Sequence, residues 1–133
     1  MITGVHHINL LVRDLEAGMA KWRDQLGVRE FEIDELPGRG VRTARFRAGP
    51  TWIVLVQPVA SGEPQRVLEE QGEGLFLLSL SVDDLDCAVD AVRSGGGSTT
   101  SPQPRSGLDD WRIIDLSPES ICQGRIQLTD SEP

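Results

Sequence analysis

The chain has 133 residues, a formal net charge of −8 and a pI near 4.7, with 38% hydrophobic and 26% charged residues. That length fits one domain able to bury a core without metal or disulfide support, and the acidity speaks against nucleic acid and anionic membranes, which recruit clustered Lys and Arg. No apolar run approaches the roughly 18 residues of a membrane span, no charged and apolar leader precedes the first strand, and Cys87 and Cys122 make no disulfide framework, so a cytoplasmic chain with reduced thiols is expected.

Taken in chain order, Val5–Val12 reads as a strand of β-branched and apolar residues. Asp14 follows as a helix N-cap, and Leu15, Met19, Trp22 and Leu26 recur at helical spacing up to Gly27. Strand-like pieces then cover Val28–Glu35, Gly40–Arg47 and Thr51–Gln57, separated by Pro37-Gly38 and Gly49-Pro50 turns. Pro64–Glu70 is expected to form a short helix started by proline. The β-α-β-β-β order now repeats. Leu75–Val82 is a strand, Asp84 an N-cap, and Leu85, Ala88, Val89 and Val92 a helical stripe ended by Gly95-Gly96-Gly97. A weak strand is expected near Ser98–Ser101, within a Ser/Pro/Gly-rich segment, 98–109, that reads as a mobile loop. Stronger strands cover Trp111–Leu116 and Gly124–Leu128, before an acidic tail, Thr129–Pro133, expected to fray. Val12-Arg13-Asp14-Leu15 and Val82-Asp83-Asp84-Leu85 match at an offset of 70, an internal repeat. The expected organisation is a first module over 1–60, a linker helix over 61–72 and a second module over 73–130.

Two such modules resemble the vicinal oxygen chelate superfamily, which includes glyoxalase I, bleomycin-resistance proteins, extradiol dioxygenases and methylmalonyl-CoA epimerase. The likeness is carried by His7-Ile8-Asn9-Leu10-Leu11-Val12-Arg13-Asp14-Leu15, by Gly74-Leu75 through Val82-Asp83-Asp84-Leu85, and by Gly124-Arg125-Ile126-Gln127-Leu128. The methylmalonyl-CoA epimerase branch matches best, through Gly40-Val41, Ile53–Pro58, Gly72-Glu73-Gly74-Leu75 and Leu116-Ser117-Pro118-Glu119-Ser120. The resemblance implies an α+β fold in which two βαβββ modules build a curved eight-stranded mixed sheet of cup-shaped half barrels, commonly as a homodimer.

It also implies where a metal would be held: His7, Val54, Leu77 and Gln127 stand at the four ligand positions. Valine and leucine have no donor atom, and Gln127 replaces a glutamate that also serves as a base. A second carboxylate position of the branch is Thr43. No cofactor is therefore expected, His7 and Gln127 being weak candidates for residual metal binding, and metal-dependent methylmalonyl-CoA epimerase activity is not expected.

Strand alternation sends His7, Asn9 and Leu11 to one face, and likewise Trp52 with Val54 and Val56, Leu77 with Ser79 and Ser81, and Arg125 with Gln127. The expected cup holds His7 as a possible metal-free general base, with Asn9, Trp52, Val54, Leu77, Ser79, Arg125 and Gln127 as ligand-binding residues. His6 is expected to face the helices or the module junction, as a structural histidine. Arg42, Arg45 and Arg47 cannot all face one way. Two functions follow for a small organic ligand: a metal-independent isomerase, epimerase or lyase of a small carbonyl or acyl-CoA compound, or a non-catalytic binding protein of the bleomycin-resistance type. An interaction module with an empty cup is a third.

Overall fold

A computed structural model describes residues 1–130. It contains strands β1 (Ile2–Leu11), β2 (Glu32–Leu36), β3 (Val41–Ala48), β4 (Thr51–Pro58), β5 (Gly74–Val82), β6 (Arg105–Ser106), β7 (Arg112–Asp115) and β8 (Ile126–Thr129). The helices are α1 (Leu15–Leu26), α2 (Glu63–Gln71) and α3 (Leu85–Ser94). The α+β class and the doubled β-α-β-β-β order expected from the sequence are both present. No helix among the described residues is long and apolar enough to cross a membrane.

The chain divides into two compact units: Ile8–Phe76, and Met1–His7 together with the chain from Leu77 onward. In the Ile8–Phe76 unit, β2, β3 and β4 pair antiparallel, with Asp34 opposite Thr43, Arg45 opposite Val54 and Arg47 opposite Trp52. Asp14 caps α1, its Oδ1 accepting from the Ala17 amide at 2.8 Å, and Gly27 ends the helix at φ 72°, where a Cβ would be strained. Val12, Leu15, Ala44 and Leu55 form the core on the helix side, extended by Met19, Trp22 and Phe31. Phe46 packs against Trp22 and Phe31 at 5.0 and 5.6 Å between ring centroids.

In the other unit β5 and β8 run parallel, while β8–β7 and β7–β6 are antiparallel. Asp84 repeats the capping device, accepting from the Cys87 amide at 2.9 Å. Leu85, Ala88 and Val89 of α3 bury against Val82, Ile114, Leu116 and Leu128.

Four local expectations change. Val28–Phe31 lies outside the strand that follows it, where Phe31 joins the aromatic cluster. The Ser98–Ser101 strand reduces to one bridge, Thr99 with Leu116. The 98–109 segment is not wholly a loop, because Arg105–Ser106 pairs with β7 and Leu108 is buried. Thr129 does not fray: its side chain is buried and hydrogen-bonded to Ser79. Asp130 is held as well, its carboxylate accepting from Arg112 Nη1 at 2.8 Å, and 131–133 of the expected tail lie outside the described residues.

Candidate functional site

In the unit that holds β5, β7 and β8, alternation separates two faces. Leu80, Leu128 and Ile114 turn to α3. The opposite face carries Ser79, Gln127 and Asp115 in one cross-strand row, and Ser81, Thr129 and Ile113 in the next. Ser79, Ser81, Gln127 and Thr129 are all buried. Ser79 and Thr129 share a hydroxyl–hydroxyl hydrogen bond. The Gln127 Nε2 donates to Asp115 Oδ1 at 2.9 Å, and Arg105 Nη1 lies 2.7 Å from Asp115 Oδ2. Leu77 and Arg125 are half-buried on the neighbouring turns of β5 and the β8 approach.

His6 and His7 are buried in the same unit, with their Nδ1 atoms 2.8 Å apart. One of the two nitrogens must donate and the other accept, so the tautomers of the pair are linked. Trp111 holds both rings. It stacks on His7 at 23° and 4.8 Å, and meets His6 edge-on at 4.5 Å. His6 is thus hydrogen-bonded to His7 and packed on Trp111. Nδ1 lies one bond from the ring's attachment point, which lets neighbouring imidazoles meet around the strand.

In the Ile8–Phe76 unit, Trp52 and Val54 are buried and Asn9 is half-buried. The Trp52 ring is occupied by guanidinium groups, Arg47 at 3.9 Å and Arg45 at 4.5 Å from its centroid. Arg45 is itself buried and ion-paired with Glu32 at 2.8 Å. Alternation sends Arg42 the other way, onto Glu16 of α1 at 2.9 Å; that bond holds the Glu16 carboxyl below its usual range and raises Arg42. A cleft of about 660 Å³ adjoins Trp52, lined also by Phe31, Phe46, Arg29, Arg45 and Arg47. The Asn9 Oδ1 and Thr43 Oγ1 are enclosed with no hydrogen-bond partner among the described residues.

Sequence reasoning missed Trp111, Asp115, Thr129 and Arg105. The signal was present for two of them, since Trp111 and Asp115 share the parity of Ile113 in a segment already read as a strand. Thr129 was lost by ending the last strand one residue early. Both cysteines are exposed, and Cys87 is pushed up by its hydrogen bond with Asp84.

The residues at the four metal positions do not supply a four-ligand set. Val54 and Leu77 lack donor atoms, which leaves His7 and Gln127. No group of three or more His, Cys, Asp or Glu among the described residues could hold a metal ion.

The family model for the glyoxalase/bleomycin resistance protein/dioxygenase superfamily matches residues 6–114. The chain belongs to this superfamily. Its relatives include an ethylmalonyl-CoA/methylmalonyl-CoA epimerase of Cereibacter sphaeroides, 27% identical over 91% of this chain and 92% of that protein. The mitochondrial methylmalonyl-CoA epimerase of Mus musculus is 26% identical over 90% of this chain and 68% of that protein. The crystal structure of methylmalonyl-CoA epimerase from Mycobacterium tuberculosis superposes with a TM-score of 0.91 at 26% identity, covering 99% of this chain and 90% of that one. The Streptomyces coelicolor epimerase in complex with 2-nitronate-propionyl-CoA shares the fold, with a TM-score of 0.89 at 23% identity over 98% and 99% of the two chains.

Proposed function

We propose that this superfamily member is a metal-independent isomerase or epimerase of a small carbonyl or acyl-CoA compound, with His7 as the proton-transferring group. The observation that carries the reading is the buried His6–His7 pair, its Nδ1 atoms at 2.8 Å and its rings fixed by Trp111. When His7 donates from Nδ1 to His6, its Nε2 keeps a lone pair and can act as a base. Removing a proton α to the carbonyl breaks the C–H bond, forms Nε2–H and sends the electron pair to the carbonyl oxygen. Return of a proton to the opposite face of the planar enolate inverts the centre and reforms the carbonyl, while return to the same face restores the substrate. The imidazolium formed in between keeps its Nδ1–H bond to His6, which a cationic donor strengthens. Ser79, Arg125 and Gln127 supply polar partners for the ligand, and Leu77 an apolar wall. The relatives that act on CoA thioesters support acyl-CoA as the first class to try.

Solvent deuterium incorporation at the α-carbon of a panel of acyl-CoAs, in chelator-treated buffer, tests the reading. Exchange above the buffer rate that is lost in His7→Ala is expected; exchange that appears only with added Co²⁺ or Zn²⁺ overturns it.

The runner-up is a non-catalytic small-molecule binder of the bleomycin-resistance type. It is favoured by the arginine-flanked Trp52 beside its 660 Å³ cleft and by Thr43 and Gln127 standing where the epimerase branch has carboxylates. Saturable ligand binding without any exchange would select it.

A further inference from the structure

Gln127 is 3% exposed, and its two amide atoms have opposite fortunes. The Nε2 donates to Asp115 Oδ1 at 2.9 Å. The Oε1 is buried with no hydrogen-bond partner among the described residues. The assignment of nitrogen and oxygen is dictated by chemistry. Asp115 is ion-paired with Arg105 at 2.7 Å, so its carboxylate is ionised and can only accept. Turning the amide over would set two acceptors face to face. Arg105 and Asp115 thus act as positioning residues that leave Gln127 able to offer the site only an acceptor. An enclosed amide oxygen without a donor is unfavourable, and few such groups persist without a ligand, ion or water to satisfy them. The neighbouring hydroxyls do not correct it: Ser79 and Thr129 hydrogen-bond to each other, and neither donates to this oxygen.

We infer that Gln127 is a specificity-determining residue whose Oε1 accepts a hydrogen bond from a ligand hydroxyl, so that the site selects hydroxy-carbonyl compounds over their deoxy counterparts. This rests on reading that sheet face as the ligand site. It assigns Gln127 a role other than holding a carbonyl oxygen, which needs a donor. A metal ion is a poor alternative occupant, since the ligand position on β5 is Leu77.

Two measurements test it. Without ligand, the side-chain NH₂ signals of Gln127, identified by their loss in Gln127→Met, should exchange slowly in the wild type and fast in Asp115→Leu. With ligand, calorimetry should give lactoyl-CoA about tenfold tighter binding than propionyl-CoA, a preference reduced to about unity in the isosteric Gln127→Met. If neither thioester binds, the acyl-CoA reading fails by itself, and hydroxyacetone against acetone decides the inference. Fast exchange in the wild type, or no hydroxyl preference in either pair, overturns it.

Discussion

The two units repeat one plan and differ in what their sheets carry away from the helices. Each begins its helix with an aspartate cap and a buried leucine, Asp14-Leu15 in one and Asp84-Leu85 in the other. The face in the Ile8–Phe76 unit is organised by charge, with Arg45 bonded to Glu32 and two guanidinium groups over Trp52. The other face is organised by proton positions: a histidine pair, a hydroxyl pair and an amide fixed by a carboxylate. Helix-facing positions are constrained by packing and stay alike. Sheet faces turned away from the helices are free to diverge, and chemistry is read from them.

The sharpest way to break the comparison is at the histidine pair. His7→Ala should lower α-proton exchange by about 100-fold or more, the scale of a lost general base, with ligand affinity changed less than about threefold; Arg47→Ala on the other unit should leave exchange unaltered. A parallel loss in both variants would deny that the two faces differ in role.

The packing half of the comparison is next in size. Leu15→Ala and Leu85→Ala each remove a buried leucine at the same step of the plan, and each should cost about 2–5 kcal/mol by urea unfolding. Leu85 should be the costlier, because its neighbours Ala88, Val89, Ile114 and Leu128 are short and tightly fixed. Met19 and Trp22 around Leu15 can settle into the space left. The reverse order would count against this account of the two cores.

A smaller effect belongs to the cap of α3. The Cys87 amide holds the Asp84 carboxyl below its ordinary value of 3.8. The folded state therefore favours the ionised form, so this group stabilises above the unfolded pKa and the benefit is lost as pH falls through the lower folded value. Asp84→Asn keeps an acceptor but no charge. Its deficit against wild type should be full at neutral pH and shrink in urea titrations as pH falls below the ordinary value of 3.8. A deficit that persists there would assign it to the hydrogen bond alone.

The least effect is expected at Arg47, which is exposed. Arg47→Ala should cost under about 1 kcal/mol while shifting Trp52 fluorescence. An unshifted spectrum would show that the guanidinium does not rest on the ring in solution.

The sequence by itself determined the doubled β-α-β-β-β order, the two caps and the shared parity of Ser79 and Gln127. These follow from periodicity and from hydrogen bonds made within a few residues, which local sequence carries. It also showed that Val54 and Leu77 offer no metal donors, because that depends only on residue type. Only the tertiary structure decided that His6 joins His7, that Trp111 spans both rings, and that Asp115 and Arg105 orient Gln127. The Trp111 and Asp115 contacts join residues on different strands or their flanks, and the His6–His7 bond runs against the alternation that separates neighbouring side chains, so none of them leaves a periodic trace. The same holds for Trp52. Alternation gave its face, but whether that face was open or covered by Arg45 and Arg47 depended on strand register, which is fixed by pairing with the rest of the sheet.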